Sequence, residues 1–493
     1  MKTVWSGTNE RNDTVEFKRE LKLFDATLLV MGSMIGSGIF IVSADIARNV
    51  GSPGYLLVVW LIAGIVTVIG ALCFGELVGL MPWAGGQYVF IREAYNPMVA
   101  FLYGWSLFMV IQAGTIAAIA MAFAKFTAVL VPSLGEGNVL IEMHGLKIQA
   151  AQLVAISTIV FLTYINTRGI RSGKMVQDVF TIAKVAALLG LIALGMTLGS
   201  NSDVITGNLS VCWNAQMTRV ADGMIISVQS LSGMAIISAI GISMVGAIFS
   251  SDAWNNITFT AGEVDNPRRT IPLSLVTGTG VVTVLYILAN ISYLVSLPVS
   301  GSPEAPDVLG NGIAFAAHDR VATAVATTVL GEPAAIVMAV LVMISTFGCN
   351  NGLILSGARV YYAMARDGLF FKKAGTLNGK AVPSAALLMQ AIWASILCLS
   401  GSYSNLLDYV IFVVLVFYIL TVGGIFILRR RMPDAERPYK AVGYPVVPAL
   451  YILSMAAIAI NLLIFKPAYT WPGLGIVLLG IPVYFIWKKG LKQ

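Results

Sequence analysis

Long apolar stretches follow one another along the whole chain of 493 residues. A helix needs roughly 20 predominantly apolar residues to cross about 30 Å of hydrocarbon, and a helix satisfies its own backbone hydrogen bonds in lipid. Twelve stretches meet this need, and we number them spans 1 to 12 in chain order: 24–48, 55–80, 98–131, 150–167, 173–199, 236–260, 271–299, 333–358, 383–400, 404–428, 446–465 and 471–487. The sequence therefore predicts an all-α polytopic membrane protein with 12 transmembrane helices.

The composition excludes a water-soluble enzyme. Charged residues make up only 11% of the chain, whereas soluble domains contain about 25%. The chain has two histidines and four scattered cysteines, and it contains neither a C-x-x-C nor an H-E-x-x-H motif. It therefore offers no metal site, no cofactor site and no catalytic centre.

The positive charge of the chain is distributed by side of the membrane. With the N-terminus inside, 24 of the 31 Lys and Arg residues lie on the inner side, five lie outside, and Lys125 and Lys184 fall within spans. The positive-inside rule then predicts that both termini are cytoplasmic, in a plasma membrane or a bacterial inner membrane. The net charge of +7 is thereby explained without a nucleic-acid partner.

Span 1 is interrupted by the segment MGSMIGSGIF at 31–40. If Gly36-Ser37-Gly38 unwinds the helix, N–H groups at the start of the outer half-helix become free to bind an anion. A second interpretation is packing, because Gly32 and Gly36 form a G-x-x-x-G motif that lets another helix approach closely. The glycines alone leave both interpretations open.

Span 6 is interrupted by the polar segment 249–256, which contains the ionisable residue Asp252. Such residues are costly at membrane depth and usually face a cavity. An alternative is that the span ends here, with Asp252 near the membrane surface. The apolar run 236–249 is too short to cross, and the inner charges begin only at Glu263, so we expect the polar segment inside the span.

The two interruptions lie about 215 residues apart, in spans 1 and 6. Interrupted segments at corresponding places in two halves point to an inverted-repeat transporter with a site at the midplane. The predicted organisation is a cytoplasmic tail, a first repeat of spans 1–5, an extracellular loop, a second repeat of spans 6–10, a basic cytoplasmic loop and a final helix pair with its tail. Their ranges are 1–23, 24–199, 200–235, 236–428, 429–445 and 446–493. We also expect short outer helices in 200–235 and 300–332, and an interfacial helix in 81–97.

Three segments resemble one transporter family: GSMIGSGIF at 32–40, AGEVDNPRRTIP at 261–272 and STFGCNNGLILSGARVYYAMARDG at 345–368. They look like the amino acid–polyamine–organocation superfamily and are most similar to its L-type amino acid transporter branch. The resemblance covers nearly the whole chain. It implies twelve spans, a five-plus-five inverted repeat with interrupted helices 1 and 6, and amino acid transport by alternating access.

The resemblance also implies roles for residues at the site. Those that would bind the backbone of the substrate are Ser33, Met34, Gly36, Ser37, Gly38, Phe249 and Ser250. The three amides at 36–38 would hold the substrate carboxylate, and the carbonyls of the other four residues would take the α-ammonium. Phe249 looks like the aromatic gate of the family, and Asp252 and Asn255 would border the substrate side chain. At 250–253 the sequence Ser-Ser-Asp-Ala departs from the family pattern.

Lys184 is a second ionisable residue at membrane depth. It follows Lys174 by ten residues, or about 15 Å along a helix, so its side chain should not return to the cytoplasmic surface. The resemblance implies that this lysine stands between spans 1, 5 and 8, where sodium-driven relatives hold a sodium ion. We therefore expect a coupling or conformational role.

The expected function is secondary-active transport of L-amino acids, with neutral ones favoured, by sodium-independent exchange or proton coupling. One alternative is a carrier of cationic amino acids or polyamines, and another is a sodium symporter that uses hydroxyls of Ser345 and Thr346. A channel would need rings of like residues along a pore, which the sequence lacks. Animal members of the branch join a heavy chain through a cysteine between spans 3 and 4. Residues 132–149 contain none, so the expected partners are the amino acid and the lipid bilayer, without a disulfide-linked heavy chain.

Overall fold

The computed structural model describes residues 16–135, 137–143, 146–221, 224–400, 403–465 and 467–490. The α-helices, numbered in chain order, are α1 (Leu23–Met34), α2 (Gly38–Val50), α3 (Pro53–Leu80), α4 (Gln87–Ala94), α5 (Pro97–Ser106), α6 (Gln112–Leu130), α7 (Ala150–Thr167), α8 (Ile170–Thr197), α9 (Ser202–Ser210), α10 (Met234–Ser250), α11 (Asn256–Phe259), α12 (Pro267–Ser296), α13 (Val308–Asn311), α14 (Val321–Leu330), α15 (Ala334–Arg366), α16 (Ser384–Leu399), α17 (Tyr403–Arg431), α18 (Val446–Phe465) and α19 (Pro467–Gly490). The strands are β1 (Val139–Met143), β2 (Leu146–Gln149), β3 (Gln216–Ala221) and β4 (Met224–Ser230).

The spanning helices agree with the twelve predicted spans. Within the described ranges, nine helices are long and apolar enough to cross a membrane, and the bent pair α1–α2 makes a tenth. The span Pro97–Leu130 joins α5 and α6 through a π-helical turn at Leu107–Ile111. The shorter apolar helices α10 and α16 correspond to spans 6 and 9. The predicted helical polytopic fold is confirmed.

The first span is broken, as the sequence predicts. Helix α1 ends at Met34 and α2 begins at Gly38, with a bend of 42° between them. Ile35 takes an extended conformation at ψ 93°, which stops the helix. The carbonyls of Ile35 and Gly36 therefore accept hydrogen bonds from side chains outside helix 1, and the N–H groups of Gly36 and Ser37 have no acceptor among the described residues.

The sixth span is broken as well. Helix α10 has 17 residues, or about 25 Å at 1.5 Å per residue, which is less than the hydrocarbon thickness. The short helix α11 follows after five residues, among which Ala253 has a positive φ of 65°. Because α10 does not cross on its own, the break lies within the span and not at its end.

The segments between the spans differ from the expectation in two respects. Two antiparallel hairpins occur, β1–β2 and β3–β4, whereas only short helices were expected outside the spans. Those helices are present as α9 in the loop 200–235, and as α13 and α14 in the loop 300–332. The helix predicted at the interface is α4, but its residues Gln87, Tyr88 and Phe90 are fully buried, because α4 packs against α5 and α17.

Neighbouring helices enclose both breaks. Helix α1 packs against α8, α12 and α15, whereas α10 packs against α2, α3 and α18. Polar side chains from these neighbours are buried where they meet the breaks, including Lys184, Tyr286 and Ser345. Buried polar groups need hydrogen-bond partners, so the interrupted backbone and these side chains satisfy one another.

Candidate functional site

The break in helix 1 (span 1, between α1 and α2) presents free N–H groups at the start of α2. None of the described residues accepts a hydrogen bond from the N–H of Gly36, Ser37 or Gly38. Gly36 and Gly38 are buried and Ser37 is half-buried. Converging N–H groups and the positive end of a helix dipole favour an anion such as a carboxylate. These are the amides to which the sequence assigned the substrate carboxylate.

The four carbonyls assigned to the substrate ammonium already accept hydrogen bonds. Tyr286 Oη lies 3.2 Å from the Met34 oxygen and 3.0 Å from the Ser250 oxygen. The thiol of Cys349 donates to the Ser33 carbonyl at 3.1 Å. The N–H of Asp252 donates to the Phe249 carbonyl at 3.2 Å. A carbonyl oxygen has two lone pairs, so each can accept a further N–H. The phenyl ring of Phe249 is half-buried.

The side chain of Lys184 ties three helices together. Its ammonium donates to the carbonyls of Gly32 at 2.6 Å, Ile35 at 2.7 Å and Ser345 at 3.3 Å. Lys184 is fully buried, and it reaches from α8 to the break in helix 1 and to α15. All three ammonium protons have acceptors, which is what a buried cation requires.

The two breaks touch at Gly38. A Cβ atom at this position would lie 2.3 Å from Ser250 Oγ and 3.0 Å from the Ser250 Cα, so only glycine permits this approach. At Gly36 the nearest atom to a Cβ would be the Cys349 sulfur at 3.5 Å, an ordinary contact. At Gly32 a Cβ would collide with Gln177 and Thr181. Gly32 thus serves the packing that the G-x-x-x-G interpretation required, whereas Gly36 does not.

The side chains in the break of helix 6 (span 6, between α10 and α11) bind residues of other helices. The Asp252 carboxylate accepts a hydrogen bond from the Tyr418 hydroxyl at 2.6 Å. Asn255 donates to the Gln87 side-chain oxygen at 2.7 Å, and Gln87 in turn donates to the Thr421 hydroxyl at 2.9 Å. This network joins the break to α4 and α17.

Asp252 and Asn255 line an internal cavity of about 30 Å³ together with Gln112, Phe259 and Val414. A water molecule needs roughly 10–15 Å³ measured in this way, so the cavity has room for about two waters and is too small for an amino acid. None of the residues 33–38, all of them described, lines this cavity. The structure thus brings together the backbone groups of the two breaks, and it places the side chains of Asp252 and Asn255 in a neighbouring chamber.

A larger vestibule opens next to this cavity, on the side of the N-terminal segment. Its volume is about 670 Å³, and Phe17, Arg92 and Gly262 are among its lining residues. Phe259 belongs to the small cavity, and Gly262 three residues later belongs to the vestibule. The short segment 259–262 therefore contributes to the lining of both chambers.

A buried ion pair lies directly after that segment, at Glu263. The guanidinium of Arg359 on α15 binds the Glu263 carboxylate through two hydrogen bonds of 2.9 and 3.0 Å. Each side chain is only 1% exposed. The removal of either partner would leave an uncompensated buried charge, so the pair links α15 firmly to the residue that follows Gly262.

The hydroxyls considered for a sodium site have other partners. Ser345 Oγ donates towards the Gly36 carbonyl at 2.9 Å, and Thr346 Oγ1 donates to the Val342 carbonyl of its own helix at 2.8 Å. The Lys184 ammonium lies among the carbonyls of this region. The positive charge there is thus supplied by the chain itself.

Several residues at the site were not identified from the sequence. Tyr286 and Tyr418 are two of 17 tyrosines, and nothing local distinguishes them. Gln112 carries a signal that could have been used, because it is a lone amide in the middle of span 3. Its side chain donates to the Leu353 carbonyl at 2.7 Å.

Comparison with known proteins shows the family to which the chain belongs. The sequence model of the amino acid permease family matches residues 21–484. The chain is 28% identical over 487 residues to the b(0,+)-type amino acid transporter 1 of Mus musculus, and the aligned region covers 97% of this chain and 91% of that protein. It is 29% identical over 474 residues to the large neutral amino acids transporter small subunit 2 of Homo sapiens, with 96% and 81% covered.

The family match extends over nearly the whole chain, and both relatives are named as amino acid transporters. Amino acid transport across a membrane, and not catalysis, is therefore the function to which the fold and the relatives point. The chain belongs to the amino acid permease family.

Proposed function

We propose that the chain is a secondary-active carrier of L-amino acids that works by alternating access between two inverted repeats, 24–199 and 236–428. The observation that carries the proposal is the pair of facing breaks at Gly38 and Ser250. One break offers free N–H groups for a carboxylate, and carbonyls of both offer acceptors for an ammonium. Every L-amino acid carries these two groups.

Transport is proposed to be independent of sodium, by exchange or by proton coupling. The Lys184 ammonium supports this, because it binds three carbonyls between helix 1 and α15. A sodium ion at the same carbonyls would meet strong repulsion from a cation a few ångströms away.

Neutral amino acids are the proposed substrates, since most groups that line the small cavity are uncharged, among them Thr115, Leu353 and Val414. A cationic amino acid is the second candidate, and the Asp252 carboxylate in the cavity wall favours it. A carboxylate at that place would pair with an ammonium or guanidinium at the end of a substrate side chain.

The proposed location is the cell membrane, with both termini in the cytoplasm, as the distribution of Lys and Arg supports. The relative from Homo sapiens is named a small subunit. For this chain we propose function without a disulfide-linked heavy chain, because residues 132–149 contain no cysteine.

Uptake into proteoliposomes tests these proposals. The purified protein is reconstituted alone, and uptake of radiolabelled leucine, alanine, lysine and arginine is measured with and without sodium, a pH gradient or internal amino acid. We expect uptake of the neutral substrates that is stimulated by internal amino acid or an inward proton gradient and unchanged when choline replaces sodium. An absolute requirement for sodium would overturn the proposed coupling. Absence of all uptake by a correctly folded sample would overturn the proposed transport without a heavy chain.

A further inference from the structure

An apolar groove of about 390 Å³ runs along the outer face of α7, beneath the hairpin β1–β2. Leu153, Ser157 and Phe161 of α7 form one wall, Leu140 of β1 covers one end, and Phe347 of α15 lies in it. It is separate from the cavity at Asp252 and from the vestibule at Arg92, with which it shares no lining residue.

The chemistry of the groove suits hydrocarbon. No charged residue of the described chain lines it, and its two hydroxyl residues are Ser157 and Thr158. The Thr158 hydroxyl is buried and donates to the Val154 carbonyl of its own helix at 2.9 Å. An apolar surface gains free energy when it is covered by apolar atoms.

The groove is continuous with the lipid-facing surface of the transporter. On the same helix Val160 and Tyr164 are 55% and 54% exposed, as expected for side chains that face lipid in a spanning helix. Phe161, a lining residue, is 54% exposed. We propose that the groove binds one acyl chain of a phospholipid, from the leaflet on the same side of the membrane as β1–β2.

The bound chain would act on the transport site through Phe347. The Phe347 ring lies 4.6 Å from the Phe180 ring on α8, where α15 and α8 are in direct contact. A Cβ at the adjacent Gly348 would come within 2.7 Å of Phe180 Cβ and within 3.6 Å of the Lys184 nitrogen. An acyl chain packed on Phe347 therefore stabilises the helix contact one residue away from the Lys184 site.

A variant that fills the groove tests the proposal. Ser157→Trp places a large side chain in the groove from an exposed position, and Val160→Trp adds the same side chain on the lipid-facing surface beside it. Phospholipid retained through detergent purification is counted by mass spectrometry. The wild type and Val160→Trp are expected to retain one phospholipid more than Ser157→Trp. Equal counts in all three, or loss of a sterol or a copurified polypeptide in place of a phospholipid, would overturn the proposal.

A second measurement needs no variant and so does not depend on how Ser157→Trp folds. The wild-type protein is reconstituted in phosphatidylcholine that carries a diazirine in the middle of one acyl chain, irradiated and digested. Adducts are expected on the peptide that contains Phe347 and on that of α7. Labelling of the other lipid-facing helices without any adduct at Phe347 would overturn the assignment. Neither lipid measurement depends on transport, so failure of the proposed function leaves both readouts intact.

Discussion

The two breaks use different parts of the polypeptide. In helix 1 the backbone makes the contacts, and its carbonyls are bound by Lys184, Tyr286 and Ser345 from three surrounding helices. In helix 6 the Ser250 carbonyl also accepts from Tyr286, but the side chains of Asp252 and Asn255 add contacts of their own, to α17 and α4. Backbone groups are the same whichever substrate binds, whereas side chains can match one substrate and reject another.

This difference predicts a division of labour. The backbone groups of helix 1, with the Phe249 and Ser250 carbonyls, should recognise the carboxylate and the ammonium, which all amino acids share, so variants that disturb them should weaken every substrate equally. The side chains of Asp252 and Asn255 in helix 6 should discriminate among substrate side chains, so variants of these two residues should change the order of preference. If variants in helix 1 changed the order of preference, or variants of the helix 6 side chains weakened every substrate equally, this distinction would be wrong.

The largest effect is expected for Lys184. Lys184→Ala leaves three buried carbonyls without their donor and separates α8 from helix 1, at an expected cost of about 3 kcal/mol, or roughly a hundredfold in turnover. Because the ammonium connects helices and need not touch substrate, turnover should fall more than affinity. Exchange rates in proteoliposomes and equilibrium binding in detergent measure the two quantities.

Two further variants show whether that effect comes from the charge of Lys184. Lys184→Met keeps most of the aliphatic stem and removes the charge, so a similar loss assigns the effect to the ammonium and not to packing. Lys147→Ala changes a lysine of the β1–β2 hairpin that is 57% exposed, and it should transport normally. Unchanged exchange rates in both Lys184 variants would contradict a coupling role.

The next effect concerns the contact between the breaks. Gly38→Ala forces a methyl group against Ser250, and such overpacking costs about 2 kcal/mol, or roughly thirtyfold in transport of every substrate. Gly36→Ala is the matched control, because its Cβ would have an ordinary contact with Cys349. Gly38→Val, which is bulkier, should abolish transport. Initial uptake rates at equal reconstituted protein provide the comparison.

A compensating change sharpens this test. Ser250→Gly removes the two side-chain atoms nearest to the added methyl group, at 2.3 and 2.8 Å, and leaves the Cα at 3.0 Å. The double variant Gly38→Ala with Ser250→Gly should therefore recover part of the lost uptake. Equal losses for Gly36→Ala and Gly38→Ala would show that close approach at Gly38 does not matter.

The sequence was informative where a residue conflicts with its surroundings. Glycines and serines in an apolar span revealed the break at 36–38, and an isolated ion at membrane depth revealed Lys184. Asp252 was found by the same reasoning, whereas the role of Asn255 was implied by the family resemblance. Each of these residues is unfavourable in an ordinary lipid-facing helix, so its presence indicates a local reason.

The partners of these residues could not be found in that way. Tyrosine is not unfavourable in an apolar helix, so Tyr286 and Tyr418 gave no local signal. Their contacts arise from helices far apart in sequence. Gln87 lies in a helix too short to span, whose burial depends on the packing of α5 and α17. Strand β1 begins with three consecutive apolar residues, VLI, and so lacks the apolar–polar alternation of a half-buried strand, and β2 alternates over only four residues.

Asp252 tests the selectivity of the second break. Asp252→Asn keeps the shape and an acceptor for Tyr418 but removes the charge, so competition by lysine and arginine should weaken by about tenfold, as for the loss of one charged hydrogen bond. Leucine and alanine should change less than lysine and arginine. Competition assays against a labelled neutral substrate measure the whole panel.

Each other outcome of that panel has a distinct meaning. Equal weakening of all substrates would assign the carboxylate to the common ammonium group. Unchanged affinities would make Asp252 irrelevant to binding, and better competition by arginine than by leucine in the wild type would overturn the proposed preference for neutral substrates. Asp203→Asn, on the exposed outer helix α9, controls for a simple change of net charge.

The smallest effects are expected for two tyrosine hydroxyls, one that bridges backbone carbonyls of the two breaks and one that binds a side chain of helix 6. Tyr286→Phe removes the donor between the Met34 and Ser250 carbonyls, and Tyr418→Phe removes the donor to Asp252. Loss of one such hydrogen bond is worth about 1 kcal/mol, or roughly fivefold in affinity.

Tyr286→Phe should change the affinity of every substrate by the same factor, since it acts on backbone groups that bind the common ammonium. Tyr418→Phe should spare glycine, which has no side chain to reach Asp252, and change the affinities of long substrates. Binding of glycine, alanine, leucine and lysine to both variants gives the comparison, and an identical profile for the two would show that the breaks act as one undivided site.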